Sequence, residues 1–146
     1  MTKLQSGREM KWKSGEGLMA SHKTGGNAMK THKDLEVWKN SMTLVQEVYK
    51  FTTDYPQNEI YGLTNQMRRA AVSIPSNIAE GAARTSSKEF TRFLSVSQGS
   101  LAELETQTIL SERLGFLAGT DSTKMLGDMN LIRAQLTGLI RYIKRK

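Results

Sequence analysis

The residues best equipped for chemistry in this 146-residue chain are cations. Arg68 and Arg69 stand side by side, Arg84, Lys88 and Arg92 follow, and Arg141, Lys144 and Arg145 lie at the end of the sequence. A guanidinium or ammonium group against a phosphate oxygen makes a charge-assisted hydrogen bond and releases a counterion, so these residues are the candidates for contact with a nucleic-acid backbone. Each also has an ordinary use. One of Arg68 and Arg69 can pair internally while the other faces water, and terminal cations suit the negative end of a helix dipole.

Other chemistries lack their parts. Glu103 and Glu105 are two residues apart, which on a helix turns them about 200° from one another, so they do not converge on a substrate. The only histidines are His22 and His32, no Glu-x-x-His pair occurs, and there is no cysteine. This excludes thiolate zinc sites, iron–sulfur clusters, disulfides and a cysteine nucleophile, and leaves a di-iron bundle site without ligands. Gly25-Gly26 lacks the spacing of a phosphate-binding loop. The sequence therefore predicts no metal, no cofactor and no enzymatic activity. Glu80, among the small and apolar residues of Ser76-Asn77-Ile78-Ala79-Glu80-Gly81, is expected to be buried. With Asn77 it would form a polar network that sets helix register, with Arg68, Arg69 or Arg84 as its cationic partner.

The elements that position these groups are helical. Leu35, Trp38, Met42, Val45, Tyr49 and Thr52 recur at spacings of three and four, with Val37, Leu44, Val48 and Phe51 as a second row. Asp34 is the expected N-cap and Tyr55-Pro56 the stop. A second helix is expected from Glu59–Tyr61 to about Ala83 on Leu63, Met67, Ala70, Ala71, Ile74 and Ile78. Pro75 should kink or break it, with Ser73 or Ser76 satisfying freed backbone groups. A third helix starts at Ser86-Ser87-Lys88-Glu89 and is capped by Gly115; a fourth runs from Asp121 or Ser122 to the end. No alternating β pattern competes. The fold class is all-α, an antiparallel up-down-up-down four-helix bundle over residues 34–146.

Length agrees with one domain. Residues 1–33 carry five glycines and no apolar periodicity and read as a disordered basic extension, with Met29 as an alternative start. The net charge of +7 is uneven: residues 1–33 hold seven Lys/Arg against two Glu, residues 34–140 hold ten against twelve, and the last six residues hold four cations. No apolar run approaches the roughly 18–20 residues that span a bilayer, and no secretory leader is visible, so a cytoplasmic location without membrane contact is expected.

Three stretches carry a family resemblance. They are His32-Lys33-Asp34-Leu35-Glu36-Val37-Trp38; the long run from Tyr61 through Asn65-Gln66-Met67-Arg68-Arg69-Ala70-Ala71 and Ser73-Ile74-Pro75-Ser76-Asn77-Ile78-Ala79-Glu80-Gly81; and Glu89-Phe90, Phe93-Leu94 and Gly99 to Gln107. In this order they resemble the bacterial four helix bundle proteins, also called 23S rRNA-intervening-sequence proteins, over about residues 31–145. The resemblance implies a ring-like homopentamer. It also implies kinship with the accessory variability determinants of diversity-generating retroelements, basic barrels that bind nucleic acid and a reverse transcriptase. The helical part of this chain is nearly neutral, unlike those barrels. The expected function is a non-enzymatic, oligomeric, nucleic-acid-associated module with RNA, DNA or a reverse transcriptase as partner. The alternative is a protein-interaction scaffold presenting Phe51, Tyr55, Tyr61 and Phe116.

Overall fold

The computed structural model describes residues 31–145. The basic extension, Met29 included, lies outside the described residues except for residues 31–33. These belong to the folded part: Thr31 caps a 3-10 turn over His32–Asp34, accepting from the Lys33 N–H, while the Asp34 carboxylate accepts from the Thr31 N–H at 3.1 Å. Asp34 therefore does not cap the first long helix. Leu35, buried, occupies that position without a side-chain bond.

Four helices follow: α1 (Glu36–Thr52), α2 (Leu63–Ala82), α3 (Ser87–Arg113) and α4 (Gly119–Lys144), with a 3-10 turn over Gln57–Glu59 between the first two. α1 packs on α2 and α4, and α3 on α2 and α4, while neither diagonal pair brings its backbones together among the described residues. Short connections and a square of neighbours define the up-down-up-down bundle. Its centre is closed by fully buried Leu44, Met67, Ile74, Ile78, Leu94, Leu101, Leu104, Met125, Met129, Ile132 and Leu136. Side chains of this size stabilise by about 1.5–3 kcal/mol each when removed from water.

The core stripe of α1 follows the second row through Val37, Leu44 and Val48, joined by Ser41 and by Thr52 of the first row. Val37, Ser41, Leu44, Val48 and Thr52 are buried, whereas Met42 and Tyr49 are each 43% exposed and Trp38 and Val45 pack at the margin. Two hydroxyls make this polar-looking row compatible with burial. Ser41 Oγ donates to the Val37 carbonyl at 2.6 Å and Thr52 Oγ1 to the Val48 carbonyl at 2.7 Å, so neither is left unpaired.

Pro75 does not break α2, which runs unbroken through it with the ring buried. Proline's fixed φ suits a helix, and only one backbone bond is forfeited. Ser73 does not rescue that bond. Its hydroxyl meets Ser100 Oγ of α3 at 2.8 Å, and Asn77 Nδ2 donates to both Ser73 O and Ser73 Oγ.

Two glycines decide local geometry. At Gly81 a β-carbon would stand 2.8 Å from Phe93 Cβ, 3.0 Å from Phe90 Cδ1 and 3.2 Å from the Phe90 carbonyl oxygen, so the last turn of α2 meets α3 backbone to backbone. Gly115, at φ +82°, ends α3. The Phe116 N–H reaches the Ser111 carbonyl at 2.9 Å and the Gly115 N–H the Glu112 carbonyl at 3.0 Å, the two bonds of a Schellman close. Nothing crowds a β-carbon at Gly115, so Gly115→Ala is expected to lose about 1 kcal/mol through φ alone, read as a shift in urea midpoint at unchanged slope.

Candidate nucleic-acid interface

The antiparallel order brings the N-termini of α1 and α3 and the C-termini of α2 and α4 to one end of the bundle. Arg84, just after α2, Lys88 and Arg92, in the first turns of α3, and Arg141, Lys144 and Arg145, at the close of α4, all lie there. A shallow groove between α3 and α4 is lined by Ser86, Lys88, Glu89, Thr91, Arg92, Ser95 and Lys144. Three cations from segments some fifty residues apart thus share a depression with three hydroxyl-bearing side chains and one carboxylate.

Phe93 seats two of the guanidiniums. Arg84 lies 4.9 Å and Arg92 4.7 Å from the centroid of its ring. Stacking of this kind holds the charged heads without neutralising them. Arg84 also donates to Glu80 Oε2 at 2.9 Å, whereas Arg92, Lys88 and Lys144 have no carboxylate partner among the described residues. Arg145 lies 5.8 Å from the Tyr142 ring.

The near-neutrality of the helical part conceals a polarity. At the end just described, eight cations (Lys33, Lys39, Arg84, Lys88, Arg92, Arg141, Lys144, Arg145) face four carboxylates (Asp34, Glu36, Glu80, Glu89). Over the rest of the described bundle, six cations face eight carboxylates. Much of that remainder is spent between helices. Lys124 bridges Glu47 of α1 at 2.8 Å and Asp128 at 3.0 Å, bonds that push its ammonium up to about 12, and Arg133 pairs with Glu105.

Arg68 and Arg69 stand apart from this cluster, toward the other end. Arg68 is half-buried. Its Nε donates to Thr52 Oγ1 at 2.9 Å, its NH2 group to the Tyr49 carbonyl at 3.4 Å, and its plane covers the Tyr49 ring at 4.6 Å. It holds the C-terminus of α1, where a cation also meets the negative end of the helix dipole. Arg69, one residue on, is exposed on a different flank. Arg68→Ala is expected to lower stability by about 1 kcal/mol and to leave nucleic-acid affinity unchanged, seen by comparing denaturation midpoints with binding titrations.

The expected Asn77–Glu80 network is corrected. Asn77 belongs to the Ser73–Ser100 seam, but Glu80 is exposed in the last turn of α2 and, among the described residues, pairs with Arg84, one of the three cations expected for it. Glu103 and Glu105 do not converge on a common pocket; Glu105 belongs to Arg133 and Glu103 is exposed. Of the aromatic residues proposed for partner contact, Tyr55 is buried and Phe51 and Phe116 pack against the core, leaving Tyr61, 92% exposed.

His32 lies edge-on to Trp38, with ring centroids 5.2 Å apart. Burial, then the neighbouring Lys33, lowers its pKa despite Asp34. The folded turn therefore favours neutral imidazole, so its contribution is complete above about pH 6.5 and is lost as pH falls below that value. An NMR titration of His32 should show a midpoint below the ordinary 6.5. Among the described residues no three His, Cys, Asp or Glu side chains gather to hold a metal ion, and no helix is long and apolar enough to cross a membrane.

The sequence reading missed Lys33 and Lys39, which add to the same end, and Phe93, the seat of the two arginines. Helix order was the signal for the lysines, since any cation near the start of α1 must fall beside the end of α4.

Four antiparallel helices with a single buried core and one basic end define an all-α bundle with an electropositive pole. The model of the 23S rRNA-intervening sequence protein family matches residues 33–138, and the chain belongs to that family. A crystal structure of a protein of unknown function from the S23 ribosomal protein family of Bacteroides thetaiotaomicron is similar in fold. It has a TM-score of 0.65 and 21% identity, over 71% of this chain and 97% of that one. Comparison with curated proteins finds no match.

Proposed function

We propose that this chain is a non-enzymatic, oligomeric bundle that associates with RNA or DNA by holding the phosphate backbone at its basic pole. The observation that carries the reading is the convergence of Lys88, Arg92 and Lys144 on one groove, with Arg84, Arg141 and Arg145 around it. The contacts are to phosphate, which position a strand without reading its sequence. Self-association, as the homopentamer that the family resemblance implies, repeats the pole and multiplies weak contacts by avidity. Half-exposed Met42, Tyr49 and Val72, beside marginal Trp38 and Val45, supply apolar surface on α1 and α2 for such assembly. A cytoplasmic setting, within a ribosomal RNA gene context or beside a reverse transcriptase, is the biological frame for this activity.

The second reading is a scaffold for a polypeptide partner without direct nucleic-acid contact. It is favoured by exposed Tyr61, Leu110 and Leu114 on α3 and the loop before α2. Fluorescence-anisotropy titration of the full chain with single-stranded RNA, duplex DNA and an RNA–DNA hybrid, across a salt series and with light scattering, separates the two. Salt-steep binding by a discrete oligomer is the expected result. No binding to any of the three at low salt would overturn the nucleic-acid reading in favour of the scaffold.

A further inference from the structure

We infer, resting on the phosphate-binding reading above, that the groove at the basic pole takes RNA in preference to DNA, with Glu89 and Thr91 accepting hydrogen bonds from ribose 2′-hydroxyls. A site built for phosphate alone needs only donors and positive charge, because the oxygens along a DNA backbone are all acceptors. This groove is mixed. Beside Lys88, Arg92 and Lys144 it is lined by the Glu89 carboxylate and by Thr91, whose hydroxyl already donates to the Lys88 carbonyl at 3.0 Å. Thr91 Oγ1 therefore has only lone pairs left to offer, and a carboxylate likewise accepts only. Glu89 forms no ion pair among the described residues, although three cations line the same depression.

The order of these groups across the surface follows the order of groups along an RNA strand. Glu89 lies one turn before Phe93, against which α2 packs at Gly81, so it stands on the α2 flank of α3. Thr91 lies two turns before Gln98, which donates to Thr137 of α4 at 3.2 Å, so it stands on the α4 flank. Lys88 and Arg92, one turn apart, run between the two, and Lys144 lies beyond Thr91 on α4, two turns after Thr137. From α2 to α4 the surface thus reads acceptor, cation, acceptor, cation. A ribose–phosphate chain crossing α3 in that direction reads donor, anion, donor, anion, since each sugar carries a 2′-hydroxyl and each link a phosphate. A deoxyribose chain gives the two acceptors nothing and leaves the Glu89 charge facing phosphate, which costs affinity. The first turn of α3 favours an acid at Glu89 through the helix dipole, but that stabilisation is the same whichever strand is bound and sets no preference.

The test uses the full chain and three uridylate strands of about 20 nucleotides, alike except at the sugar: ribose, deoxyribose and 2′-fluororibose, the last keeping a ribose-like ring without a donor. Fluorescence-anisotropy titrations across a salt series are expected to give about tenfold tighter binding to the ribo strand than to either of the others, the low end for one hydrogen bond to a charged group. Each affinity should fall steeply with salt while their ratio holds, because a 2′-hydroxyl contact releases no counterion. Glu89→Ala combined with Thr91→Val should bring the ratio to about 1, with circular dichroism checking that the variant folds. If it does not fold, the three-strand comparison on the parent alone still decides. A parent that binds the ribo and deoxy strands equally overturns the RNA preference while the phosphate reading stands. Equal binding of the ribo and fluoro strands also overturns it, since ring shape and not hydrogen donation would then be read. A ratio unmoved in the folded double variant overturns the roles given to Glu89 and Thr91. If the parent binds none of the three strands, the phosphate reading fails with the preference.

Discussion

Gly81→Val is expected to destabilise the bundle by about 2–3 kcal/mol, against the direction that helix propensity alone would give. Valine is a better helix former than glycine, by a few tenths of a kcal/mol, and that gain is small. The opposing term is steric. The first added carbon already falls 2.8 Å from Phe93 Cβ and 3.2 Å from the Phe90 carbonyl oxygen, and neither is the far end of a flexible side chain. The helices must move apart, and overpacking of this kind typically costs 1–3 kcal/mol. The separation would also disturb Phe93, on which Arg84 and Arg92 rest, so the change should reach the basic pole. Chemical denaturation gives the first effect, and binding measured well below the transition gives the second. A neutral or stabilising result would mean that α2 and α3 are not in contact here.

The second large effect is on binding. Replacing Lys88, Arg92 and Lys144 together by alanine should lower affinity for duplex DNA by about two to three orders of magnitude at 0.1 M salt. The arithmetic follows from counterion release. Three phosphate contacts contribute about 2.7 to the logarithmic salt slope, which over a tenfold dilution from 1 M salt is a few hundredfold. Stability should hardly change, because all three residues are exposed and form no ion pair among the described residues. A loss of affinity with unchanged slope would point to misfolding or to a contact other than phosphate.

Much of the fold was legible because local chemistry and tertiary structure agree. Ser86 accepts from the Glu89 N–H and Gly115 takes positive φ, as their types suggest. The α1 stripe was not legible by counting apolar residues, since both candidate rows have helical period. The choice fell to Ser41 and Thr52, whose hydroxyls return to the preceding turn and remove the penalty of burial. Asp34 has the type of a helix cap, but it closes the 3-10 turn before α1, where its carboxylate accepts from the N–H of Thr31, the residue that caps that turn. Glu80 reads as buried because its neighbours in sequence are small and apolar, while its own direction from the last turn of α2 is outward.

The site was half legible. Every cation at the pole except Lys33 and Lys39 is a candidate on type, yet nothing in the order of residues shows Lys88 and Lys144 lining one groove. That groove exists only once four helices alternate in direction. Arg68 shows the converse: a dense pair in sequence, with one member committed to Thr52 and Tyr49 by the packing of α1 on α2.

The most direct test of the central claim, that phosphate is held at one pole, compares two variants of equal charge. The first carries Lys88→Glu and Lys144→Glu at the pole; the second carries Lys50→Glu and Arg113→Glu, exposed positions near the opposite end. Salt-dependent binding to one duplex is measured for both beside the parent. The slope should fall by about 2 for the first and stay at the parental value for the second. Equal losses for both would contradict it, since binding would then follow total charge and not its place in the fold.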